Sequence, residues 1–67
     1  MRFWVLESAA GNYAQVHRAE CERCQDGQKP QQGSWSGFDD FTQAMEHAAA
    51  TERPVLQCTL CHPERYA

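Results

Sequence analysis

Val55-Leu56-Gln57-Cys58-Thr59-Leu60-Cys61-His62-Pro63 decides how this chain folds. Two cysteines with a two-residue gap can direct both sulfurs at one tetrahedral ion, and the apolar run before them reads as a short strand that delivers Cys58. Upstream, Glu20-Cys21-Glu22-Arg23-Cys24-Gln25-Asp26-Gly27 repeats the spacing, with an Asp-Gly turn directly behind it. These pairs use all 4 cysteines of a 67-residue chain. Together they complete a four-cysteine zinc shell with no open position. A chain this short buries too little apolar surface to fold well without such a staple. A structural zinc adds on the order of 10 kcal/mol of folding free energy when the unfolded chain has no site. The metal-free form is therefore expected to be unfolded or molten.

Between the two pairs, the clearest element is a helix from Asp40 to about Ala50. Asp40 and Gln43 have the capping-box spacing. Phe41, Ala44, Met45 and Ala48 fall on one face, which reads as core, and Pro54 stops the helix. Before the first pair, Arg2 to Leu6 and Tyr13 to His17 flank the Gly11-Asn12 turn signal and read as an antiparallel hairpin. Gln28 to Ser36 is polar, with Pro30 and Gly33, and reads as a loop that Trp35 anchors to the core. The order is hairpin, knuckle, loop, helix, strand, knuckle. It specifies a single α+β zinc domain over residues 1–67, treble-clef or zinc-ribbon-like.

Six residues are candidate ligands: His17, Cys21, Cys24, Cys58, Cys61 and His62. The simplest shell is Cys21, Cys24, Cys58 and Cys61, with His17 donating to a ligand sulfur. The alternative uses His17 in place of Cys24, because three residues between His17 and Cys21 also make a workable ligand gap. His62 reads as an exposed turn residue, since neighbours in sequence rarely both reach one ion without strain. His47 belongs on the polar helix face. Two iron readings compete with zinc. A rubredoxin-like iron site shares the four-thiolate shell. Cys58-Thr59-Leu60-Cys61-His62 also matches the c-type haem attachment motif, but the first pair would then have no role, five residues follow His62, and no export signal precedes it.

Val16-His17-Arg18-Ala19-Glu20-Cys21 resembles the start of the small zinc domains related to the metal-binding domain of the DNA-repair protein Ada. In those domains three residues separate a Cys or His from the next Cys. An aromatic residue follows, then a capped helix with a central alanine, then Cys-x-x-Cys and a nearby proline. Phe38-Asp39-Asp40-Phe41-Thr42-Gln43-Ala44 and Cys58-Thr59-Leu60-Cys61-His62-Pro63 keep that order, so the resemblance spans about residues 16–64. It implies His17, Cys21, Cys58 and Cys61 as ligands. Cys24 departs from the pattern, and the four-cysteine shell stays the expected one, because thiolate pairs at this gap are the commonest structural zinc chemistry, with the His17 set as the alternative.

The formal charge is -3 with neutral thiols. Four thiolates around one zinc would add two further negative charges. That balance counts against a strong sequence-independent hold on nucleic-acid phosphates. No segment is long and apolar enough to span a membrane, and the start of the chain is not a signal peptide. The expected location is cytoplasmic, where thiols stay reduced and bind metal. A closed thiolate shell leaves no position for a substrate, and no catalytic constellation has convincing spacing, so no enzyme is expected. The expected role is a protein-interaction module with an unidentified partner, supported by net acidity and by Phe3, Trp4 and Tyr13 on the hairpin. The alternative is a nucleic-acid-binding zinc domain using Arg18, Arg23, Lys29, Arg53 and Arg65, with Trp35 stacking on a base.

Overall fold

A computed structural model of the chain describes residues 2–28 and 33–66. Lys29 and Pro30 lie outside the described residues. The aromatic and β-branched N-terminal run forms β1 (Phe3–Ser8), which pairs antiparallel with β2 (Tyr13–Arg18). The turn between them uses Asn12 at φ 55, a left-handed conformation that asparagine tolerates. The Ser8 hydroxyl accepts the Gly11 N–H at 3.0 Å and closes the turn.

A further strand, β3 (Ser34–Phe38), pairs antiparallel with β1. The helix α1 spans Phe41–Ala50, and β4 (Val55–Gln57) then runs parallel to β2. The sheet order is β3-β1-β2-β4. Asp40 caps the helix as its spacing with Gln43 predicts: its Oδ1 accepts the Gln43 N–H at 2.7 Å. At the other end, the Thr51 hydroxyl donates to the Ala48 carbonyl at 2.6 Å. The chain closes with a 3-10 turn over Pro63–Tyr66. The α+β class, the hairpin, the helix and the short second-pair strand all stand where the sequence puts them.

The loop expected over Gln28 to Ser36 is corrected in its last part, where Ser34, Trp35 and Ser36 belong to β3. The strand escapes the period-2 pattern for a physical reason. Trp35 pairs with Leu6 and Phe38 with Phe3, so its two aromatics serve opposite faces of the sheet. The rest of the strand is serine and glycine, which carry no strand signal.

The two faces differ in what covers them. Phe3 and Val5 of β1 and Ala14 and Val16 of β2 point to the helix and form one buried cluster with Ala44 and Ala48. Alanine on the helix lets α1 lie close to the sheet, while Phe38, Phe41, Met45 and Val55 seal the margin. Phe3 meets Phe41 edge-on, with ring centroids 5.7 Å apart. On the other face, Trp4 of β1 stands opposite His17 of β2, and Leu6 opposite Trp35 of β3. There the four cysteines form a second buried cluster, packed against Trp4 and Trp35.

Candidate metal site

Strand pairing builds the site. β2 presents His17 on the face away from α1, directly across from Trp4. A turn follows at once, in which the Cys21 N–H donates to the Arg18 carbonyl at 3.0 Å and folds Cys21 back under His17. β4 lies beside β2, and its pairing ends with the Cys58 N–H donating to the Val16 carbonyl at 3.1 Å. This sets Cys58 next to His17. The turn after Cys58 closes when the His62 N–H donates to the Cys58 carbonyl at 2.9 Å, which brings Cys61 inward.

The result is a group of four donors, His17, Cys21, Cys58 and Cys61, all buried, whose ligand atoms lie within 4.8 Å of one another. The Cys21 and Cys58 sulfurs are 3.7 Å apart. Four sulfurs at about 2.3 Å from a tetrahedral zinc are separated by about 3.8 Å, so this pair already has the spacing of a shared ion rather than of a disulfide. All four cysteines are free thiols.

His17 is the residue that most requires an ion. It is 2% exposed, and neither Nδ1 nor Nε2 has a hydrogen-bond partner. Buried polar atoms are nearly always satisfied, so a buried imidazole beside three thiols with no partner at either nitrogen has one free to bind a metal, while the other stays without a partner. Burial, helped by the Arg23 charge, pulls its pKa down to about 4, so the ring is neutral at pH 7, the form that binds metal.

One sulfur, that of Cys58, is also prepared as a thiolate. Burial works against the Cys58 thiolate, but the N–H groups of Cys61 and Leu60 and the thiols of Cys21 and Cys61 bring its pKa below the ordinary value. Cys61 shifts the other way: burial raises it, against the Arg18 N–H that donates to its sulfur at 3.3 Å. A dication in the group would reverse that shift.

Cys24 is fully buried beside this group, yet its sulfur is not one of the four that converge. Its Sγ instead accepts the Gly27 N–H at 3.4 Å. Burial pushes its thiol up to about 11. The structure thus gathers the His17 set of donors and leaves Cys24 as a fourth sulfur in the same cluster. His62 stands outside: it takes φ 48 in the turn, and its Nδ1 lies 3.3 Å from a Glu64 carboxylate oxygen. His47 is half-buried, with its ring 5.0 Å from that of Phe38.

Two residues near the site carry more than their sequence context indicated. Trp4 lies flat against two glycines: a Cβ at Gly27 would come within 2.7 Å of its ring, and one at Gly37 within 3.0 Å. Its Nε1 donates to Asp26 Oδ1 at 2.9 Å. The indole therefore clamps the loop after Cys24 to the sheet, and Gly27, at φ 77, is needed for both turn and clearance. Trp35 packs edge-on against His17, centroids 5.3 Å apart, and walls that side of the cluster.

The surface bears on partners. Among the hairpin aromatics, Phe3 is buried in the core, while Trp4 and Tyr13 are half-buried. The exposed large apolar side chains among the described residues are Leu56 at 44% and Leu60 at 51%. Two of the basic residues are paired with acids: Arg18 lies 3.8 Å from Glu20, and Arg53 lies 3.3 Å from Glu7. Lys29 falls outside the described residues. Among these residues no helix is long and apolar enough to cross a membrane.

Comparison of the chain with known protein families, curated proteins and solved structures gives no match. What fold and site define is a small α+β domain with a buried His/Cys group able to hold a metal ion.

Proposed function

We propose that His17, Cys21, Cys58 and Cys61 hold one structural zinc ion, and that the domain is a protein-interaction module rather than an enzyme. The observation that carries the metal reading is the buried His17 ring, orphaned at both nitrogens and facing three thiols. One imidazole with three thiolates is a zinc donor set; a rubredoxin-like iron site would want four sulfurs. A filled four-donor shell leaves no position for substrate, which supports a non-catalytic role. With three thiolates and a neutral imidazole, zinc adds one negative charge to the formal -3. The donor set coincides with the one implied by the resemblance to Ada-related zinc domains, and kinship with them is proposed on that ground. Reduced thiols suit a cytoplasmic setting.

The metal reading is tested by native mass spectrometry before and after chelation, with far-ultraviolet circular dichroism alongside. One zinc per chain, with helix signal lost on chelation and regained on adding zinc, is the expected result. A chelated protein that keeps a cooperative fold would overturn it.

The partner reading is supported by Leu56 and Leu60 standing exposed on an acidic domain whose Arg18 and Arg53 are paired. Zinc-loaded protein should retain a protein partner at high salt and lose it in Leu60→Asp. Binding to DNA or RNA that falls steeply with added salt would replace this reading by the nucleic-acid one.

A further inference from the structure

Cys24 is not explained by a His17, Cys21, Cys58, Cys61 shell, and it is not an isolated thiol. It is 0% exposed, it belongs to the same buried cluster as the other three cysteines, and it shares a Cys-x-x-Cys turn with Cys21. The turn is built as a metal knuckle is built. The Cys24 and Gln25 N–H groups donate to the Cys21 carbonyl at 3.0 and 2.8 Å. Gln25, Asp26 and Gly27 then take φ of 49, 54 and 77, a left-handed run that returns the Gly27 N–H to the Cys24 sulfur. Backbone N–H groups aimed at a sulfur stabilise it as a thiolate ligand. Trp4 holds this loop in place through its ring and through Asp26.

The opposite feature marks His17. A zinc-bound histidine ordinarily donates its second nitrogen to a carbonyl or carboxylate, which fixes the ring. At His17 neither nitrogen has such a partner, so whichever one binds metal, the other is unsupported. The site therefore holds one ligand without outer support and one spare sulfur with it.

We propose that Cys24 is a reserve ligand, and that the site exchanges His17 for Cys24 when it takes a thiophilic ion such as Cd2+. This rests on the His/Cys shell proposed above for zinc. In the exchange the metal–nitrogen bond to His17 breaks and a metal–sulfur bond to Cys24 forms. The Cys24 proton passes to buffer, no electrons are transferred, and the site gains one negative charge. Softer ions favour the fourth thiolate over imidazole.

X-ray absorption at the zinc and cadmium edges tests this on the intact protein, loaded with each ion in turn. Three sulfurs and one nitrogen around zinc, and four sulfurs around cadmium, are expected. Cys24→Ala should leave the zinc shell unchanged, return cadmium to three sulfurs and one nitrogen, and weaken cadmium binding by about tenfold or more, the scale a lost outer partner already costs. Cadmium bound by three sulfurs and one nitrogen in the unaltered protein would overturn the exchange while leaving the zinc reading intact. Four sulfurs around zinc would overturn the His17 shell itself, and the exchange with it. His17→Ala supplies a second check: it should keep zinc through Cys24, whereas His17→Ala with Cys24→Ala should not. Equal loss of zinc in the single and double variants would also count against the exchange.

Discussion

The two faces of the sheet are held together by different physics. On the helix face, five small and medium apolar residues and the Phe3–Phe41 pair exclude water under a ten-residue helix. On the other face, among the described residues, there is no second layer of regular structure. Two tryptophans and two cysteine turns cover the sheet, and they meet at a buried group of donors. Apolar burial is incremental and tolerates small losses, whereas a metal shell forms as a unit and fails as a unit. On the proposed zinc reading, the helix face sets the shape and the metal face decides whether the chain folds.

Breaking the metal face should have the largest effect, and the effect should cross the sheet. Cys58→Ser or Cys61→Ser removes a ligand from a site worth on the order of 10 kcal/mol and should abolish folding, with the helix signal in circular dichroism lost although no helix residue has changed. Retention of that signal would mean the helix face folds by itself. Breaking the helix face should be milder. Phe3→Ala should cost about 3–5 kcal/mol in chemical denaturation of the zinc-loaded protein and leave one zinc per chain. Asp40→Ala, which removes the helix cap but touches neither core, should cost about 1 kcal/mol in the same assay. His62→Ala sharpens the contrast from the metal side. It lies next to a ligand in sequence but outside the donor group, so the change should stay within about 0.5 kcal/mol and leave zinc content unaltered. Zinc loss in that variant would place His62 in the shell.

The parts legible in the sequence are those fixed by local chemistry. The hairpin, the capped helix over Phe41–Ala50 and the short strand before Cys58 each follow from periodicity, turn residues or a cap. The strand Ser34–Phe38 was not legible, because Trp35 and Phe38 serve different faces and Gly37 is shaped by the Trp4 ring rather than by strand propensity. Choosing between His17 and Cys24 was equally beyond local pattern. Both have workable spacing from Cys21, and the distinction depends on β4 lying parallel to β2, which carries Cys58 to the His17 side. Long-range pairing of this kind leaves no trace in spacing.

The central claim is that His17, not Cys24, completes the zinc shell. Elemental analysis with zinc-edge X-ray absorption on the protein as purified tests it directly. One zinc per chain coordinated by three sulfurs and one imidazole nitrogen is the predicted result. Four sulfurs around the zinc, or a folded protein containing no metal, would contradict it.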